Sequence, residues 1–125
     1  NLDDISNIII STNNSVVEDF SLKDLVIYWG STLSLEAINM GIPVIHYNNK
    51  ESFLSYDPLF QLNHFKWEVN NSNSLVHRIE EIYSMPDETF NKELQEAKKY
   101  INSYFSPVTE DCLRKFTVNK DKLNE

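Results

Sequence analysis

A single cysteine, Cys112, excludes an internal disulfide. With no His or Cys near it, it also lacks the short ligand spacing that a zinc site needs. It reads as a small apolar filler, and a reducing compartment is the simplest setting for such a chain. No apolar run approaches the ~20 residues needed to span a bilayer, and the N-terminus lacks the basic-then-apolar pattern of a signal peptide. Basic residues are scarce. Residues 1–91 carry 4 basic against 13 acidic side chains and residues 92–125 carry 7 against 6, for a net charge of −8. Nucleic-acid binding draws on a basic footprint that releases phosphate counterions; none exists here, so nucleic acid is not an expected partner. A small phosphorylated ligand passes the same test, because backbone amides and a helix end can hold its phosphates. There is no internal repeat and no low-complexity tract.

What is present fits one α/β domain: 125 residues, 41% of them hydrophobic, enough to bury roughly two-thirds of the unfolded surface. Four apolar runs predict strands, at residues 8–11, 25–29, 43–47 and, less clearly patterned, 65–69. The first three are continuously apolar, as strands buried on both faces of a parallel sheet are. Helical patterns lie between and after them, at 15–20, 32–40 and 73–83, the last with Leu75, Ile79, Ile82 and Tyr83 on one face. Two helices close the chain. In 86–104, Phe90, Leu94, Ala97, Ile101 and Tyr104 recur at helical spacing, with Pro86, Asp87 and Glu88 suited to its start and Lys98 and Lys99 to its end. Ser106-Pro107 breaks it, and Thr109 can cap a final helix at 109–118. The alternation implies right-handed βαβ units. The expectation is a Rossmann-like parallel sheet of about four strands flanked by helices, few for a complete doubly wound domain and so a piece of something longer. That the chain opens on Asn1 rather than Met fits the same expectation.

The two glycines of the protein both fall in Asp24-Leu-Val-Ile-Tyr-Trp-Gly-Ser-Thr-Leu-Ser-Leu-Glu-Ala-Ile-Asn-Met-Gly-Ile-Pro-Val-Ile-His46. Gly30 stands where strand turns into helix, a place that needs either close approach of a ligand to the backbone or a positive φ. Ser31 and Thr32 follow as capping residues, and a helix N-terminus at the carboxyl end of a parallel strand suits a phosphate. An ordinary strand–turn–helix junction explains the same residues. Gly41 and Pro43 match a helix stop and carry no function. Glu36 lies one turn after Thr32 on the same side. It is not at the capping-box position, three residues after a Ser or Thr cap, so it is either satisfied by the helix dipole or an acceptor for sugar hydroxyls.

This segment, Asp-Leu-Val-Ile…Gly-Ser-Thr…Glu-Ala-x-x-x-Gly-x-Pro-Val-Ile, resembles the C-terminal domain of GT-B-fold glycosyltransferases, and is most similar to bacterial enzymes that build surface polysaccharides. The resemblance runs from residue 8 to about 82 and is strongest across 24–46. It implies a nucleotide-sugar donor, with Ser31 and Thr32 on its phosphates and Glu36 on the ribose. It also implies an N-terminal domain of the same chain that would carry the catalytic base, so this domain alone is expected to be inactive. Many relatives carry a second Glu eight residues before that one. Tyr28 stands there instead, and the choice between retaining and inverting chemistry stays open. No metal or other cofactor is expected. The implied setting is cytoplasmic, with peripheral association of the parent enzyme at the inner face of the cell membrane.

Loops that follow the strands line the cleft in such sheets, which nominates Ser11, Thr12 and Asn13, and the stretch 46–56 with Asn48, Asn49, Lys50 and Tyr56. Lys50 is the strongest of these, as a lone positive charge near the expected phosphate end, and Ser11 joins the candidate set. His46 ends a strand on the cleft side, where a hydrogen-bonded structural histidine and a ligand contact are both admissible. The three histidines share no metal or relay spacing. Two other readings accompany the glycosyltransferase one: half of a nucleotide-sugar 2-epimerase, and a non-catalytic α/β interaction module with Leu113 and Phe116 of the last helix as a docking surface.

Overall fold

A computed structural model describes residues 7–21, 23–48 and 56–116. Its elements are α1 (Val16–Phe20), β1 (Val26–Tyr28), α2 (Leu33–Asn39), β2 (Val44–Tyr47), β3 (Lys66–Val69), α3 (Ser72–Tyr83), α4 (Asp87–Ile101) and α5 (Glu110–Phe116). The strands form one parallel sheet in the order β1-β2-β3, with Val26 opposite Val44 and Val44 opposite Lys66. The expected Rossmann-like α/β arrangement is present, with three strands among the described residues rather than four.

The missing strand is the one expected at 8–11. That segment has no ladder partner among the described residues; Ile9 is 92% exposed, and Ile8 and Ile10 are exposed beside it. A continuous apolar run signals burial, but burial needs a neighbour. The segment instead ends in a polar turn, where the Ser11 hydroxyl donates to Asp19 of α1 and accepts from the Asn13 N–H. β1 is therefore an edge strand among the described residues, and burial on both faces holds only for β2. Because side chains alternate across a sheet, Tyr28 and Val44 point to one face and Ile27 and Ile45 to the other. On the first, α2 and α4 cover a core of Tyr28, Leu35, Ala37, Ile38, Val44, Leu59, Phe65, Ala97 and Ile101. On the second, α3 brings Ile82 onto Ile45 and Val69, leaving Ile27 exposed.

Helix ends follow the local rules, with small differences. Gly41 has φ +83, and its N–H and that of Ile42 return to the carbonyls of Ile38 and Ala37, both at 2.9 Å. This is a Schellman cap closed by the buried Ile42 against Ala37. Thr109 caps α5, its Oγ1 accepting from the Cys112 N–H at 3.3 Å. α4 stops at Ile101, three residues before the expected end, so Tyr104 is exposed; Tyr83 is exposed at the end of α3 as well. Cys112 is exposed rather than a buried filler, and Leu113 beside it is exposed too. Residues 117 and 118 of the expected last helix lie outside the described residues. No helix among the described residues is long and apolar enough to cross a membrane.

Phe65, at φ 59, is a non-glycine residue in the left-handed region. Such a backbone is uphill for a bulky side chain. It is held by complete burial against Phe90, with ring centroids 4.8 Å apart, and by the Glu93 carboxylate accepting its N–H at 3.2 Å. The bend aims Lys66 under the turn that precedes it.

A Cβ on Gly41 would meet only Leu94 Cδ2 at 3.7 Å, an ordinary contact. Gly41→Ala is therefore expected to destabilise the fold through backbone conformation alone, by about 1–2 kcal/mol. A urea melt checks this through a lowered midpoint with an unchanged slope.

Candidate functional site

The parallel register sets Tyr28, His46 and Glu68 side by side on the face toward α2, with Lys66 on the same face one pleat earlier. The segment 56–62 folds over them. Asp57 is its anchor: Oδ1 accepts from the Tyr28 hydroxyl at 2.8 Å and from the Leu59 N–H at 2.9 Å, and Oδ2 pairs with the Lys66 ammonium. Lys66 also donates to the Leu59 carbonyl at 2.8 Å. Burial works to raise the Asp57 pKa; the Lys66, Tyr28 and Leu59 donors outweigh it and hold the carboxyl below the usual range. Burial, then the facing carboxylate, pushes the Tyr28 hydroxyl well above its ordinary value, so it remains a donor. Position 28, where the resemblance expects a carboxylate, thus offers a hydroxyl to a carboxylate supplied from the 56–62 segment.

His46 is 2% exposed and stacks at 5.1 Å on Tyr28. Its Nε2 lies 3.0 Å from the Trp29 carbonyl. A carbonyl only accepts, so Nε2 carries a hydrogen; of the two neutral tautomers, this one leaves the lone pair on Nδ1. Nδ1 has no hydrogen-bond partner among the described residues. It faces Asp57 Oδ2 and Glu68 Oε2, each 3.8 Å away. Glu68 is steadied by Asn48, whose Nδ2 donates to Oε1 at 2.7 Å. Tyr56 and Phe60 complete a cavity of about 510 Å³ around these groups, within the usual size for a small-molecule site. No group of three or more His, Cys, Asp or Glu among the described residues is arranged to hold a metal.

The residues expected from sequence are only partly gathered here. Gly30 adjoins the cavity: a Cβ at Gly30 would sit 3.0 Å from the Tyr56 carbonyl oxygen. The close approach that demands glycine is thus made by the protein's own backbone, and Gly41 alone has a positive φ among the glycines. Ser31 caps α2, its Oγ accepting from the Leu33 N–H at 3.2 Å, whereas Thr32 makes no side-chain cap bond. Glu36 is half-buried on α2. Ser11 is elsewhere, tied to Asp19 in a cavity of about 480 Å³ with Lys23, Leu25 and Val26, where β1 begins rather than ends. Lys50 and Asn49 lie outside the described residues.

No protein-family model, curated protein or solved structure matches this chain. The site is read from its own chemistry. Asp57, Lys66 and Glu68 were not among the residues that spacing singled out. They come from a loop and a short strand with mixed polarity, and only the pairing of β2 with β3 brings them to His46.

The Asp57–Lys66 pair makes a stability prediction. Asp57→Ala leaves the Lys66 ammonium, 7% exposed, without its carboxylate, and is expected to cost about 3–5 kcal/mol in chemical unfolding. The pH dependence has a definite sign. A carboxyl depressed in the folded state stabilises fully above its unfolded pKa, about 3.9, and this is lost as pH falls through the folded value. Tyr28→Phe removes one donor from Asp57 and is expected to move the acid unfolding midpoint, followed by tryptophan fluorescence, to higher pH. An unmoved midpoint would show that the hydroxyl does not hold the charged carboxylate.

Proposed function

We propose that this chain is the donor-binding domain of a GT-B-type glycosyltransferase of surface polysaccharide synthesis, taking a nucleotide-sugar. The observation that carries the reading is the junction of two features at the carboxyl side of a parallel sheet. One is the β1–α2 turn at Gly30-Ser31-Thr32; the other is the polar cavity of His46, Asp57, Lys66 and Glu68. They share a wall, since Trp29 bonds His46 and Tyr56 lies on Gly30. Crevices beyond the carboxyl ends of parallel strands are where open α/β sheets hold nucleotides.

The two features suit different parts of such a donor. The N–H groups of Ser31 and Thr32 donate to no described backbone carbonyl and the Thr32 hydroxyl makes no cap bond, so all three are offered to phosphate oxygens. The cavity, with two carboxylates against one ammonium, disfavours a phosphate and favours hydroxyls. In the reaction, an acceptor hydroxyl attacks the sugar carbon bearing the phosphate or diphosphate; the carbon–oxygen bond to that group breaks, and its growing charge is stabilised by the turn. The proton of the attacking hydroxyl passes to a base supplied by an N-terminal domain of the parent enzyme. The cluster also keeps the epimerase reading in view, because acid–base groups do line this cavity; formation of the C2-epimeric nucleotide-sugar in the absence of any acceptor is the product that separates the two.

Calorimetric titration with UDP, GDP, CDP and CMP tests the proposal. Saturable binding of one of them is expected, weakened about tenfold, or 1.4 kcal/mol, by Thr32→Ala. Absence of binding for all four removes the reading.

A further inference from the structure

We infer that the space at His46 Nδ1 is a subsite for a neutral polyhydroxyl ligand, a sugar ring, one of whose hydroxyls donates to Nδ1 between the carboxylates of Asp57 and Glu68. The first ground is the orphan itself. The Trp29 carbonyl fixes a hydrogen on Nε2, so in the neutral tautomer Nδ1 is an acceptor; it is buried without a hydrogen-bond partner among the described residues, and burying such a group unmatched is costly. Both atoms facing it, Asp57 Oδ2 and Glu68 Oε2, are also acceptors. What completes the arrangement must bring hydrogens.

A cation would bring them too, drawn by the one carboxylate in excess, but most of the charge is already answered or screened. Asp57 is already answered by Lys66, Tyr28 and Leu59. The Lys66 ammonium, in the same cavity, repels a second positive charge. Glu68, the carboxylate without a Lys or Arg partner among the described residues, is 55% exposed and keeps its screening by water.

A hydroxyl fits better because it both donates and accepts. Two spare acceptors, Nδ1 and Glu68 Oε2, stand beside one spare donor. Asn48 uses one amide hydrogen on Glu68 Oε1 and has a second to offer. Adjacent hydroxyls on a ring meet that pattern. Tyr56 and Phe60, 67% and 69% exposed at the same opening, offer apolar faces for the C–H side of the ring. The subsite goes beyond the donor reading, since it takes hydroxyls whether or not a nucleotide is attached.

Nitrogen-detected NMR of the histidine side chains, on the whole chain titrated with methyl glycosides, tests it. His46 is expected as the Nε2–H tautomer, with its Nδ1 resonance moving saturably while those of His64 and His77 stay still. Glu68→Gln and Phe60→Ala, both at exposed positions, are expected to weaken the response; the first does so by about tenfold, the loss of one hydrogen bond to a charged acceptor. Three results overturn the inference. One is a His46 signal unmoved by every glycoside. Another is a tighter response to methylammonium than to any glycoside. The third is a response that both variants leave intact. Nucleotide titration is a separate measurement. A glycoside response without nucleotide binding keeps the subsite and removes the donor reading, and nucleotide binding with a silent His46 does the reverse.

Discussion

The Asp57 carboxylate is the tie on which the carboxyl side of this sheet depends. It accepts from β1 through Tyr28, from β3 through Lys66 and from its own turn through Leu59. Three elements distant in sequence are thereby joined at one buried group. Leu59 and Leu62, carried by the same segment, close the core beneath, and the cavity beside them exists because the segment is held there. A buried ion pair is a weak contributor to net stability when compared with an apolar replacement. Its effect here is geometric: it sets the height of the 56–62 segment above the sheet, and hence the depth at which His46 sits.

His46 carries that geometry outward. One ring nitrogen fixes the carbonyl of Trp29, the residue before Gly30, and the other faces the cavity. The turn at Gly30-Ser31-Thr32 and the polar cavity are therefore tied to each other. Their electrostatics are opposite in sense: backbone N–H groups with no described carbonyl partner at the turn, an excess of carboxylate in the cavity. A ligand with an anionic part and a hydroxyl-rich part is complementary to both at once, and on this ground a nucleotide-sugar is proposed rather than a nucleotide alone.

The other side of the sheet has a different character. β1 is three residues long, its outward Ile27 is exposed, and the apolar 8–10 segment beside it is exposed too. α3 shields β2 and β3 on that face and stops short of β1. The buried polar groups gather on the opposite face, at the carboxyl side of β1–β3.

Much of the frame was legible in the amino-acid order because it rests on local rules. The 3.6-residue periodicity located α3 and α4, Gly41 and Pro43 located the end of α2, Thr109 located the start of α5, and apolar runs located β1 and β2 within a residue or two. Where those rules fell short, the cause was tertiary. The run at 8–11 had the composition of a buried strand without a neighbour to bury it among the described residues, and Tyr104 kept the helical spacing of α4 past the point where the helix ends. Gly30 was recognisable as a position that tolerates no side chain. That the intruding atom is the Tyr56 carbonyl depends on a segment 26 residues away in sequence. The sequence by itself determined the parallel α/β plan and the turn after β1, since periodicity, caps and glycines act over a few residues. Only the tertiary structure decided that Tyr28, His46, Asp57, Lys66 and Glu68 meet, because strand register and a buried ion pair join groups that no local spacing relates.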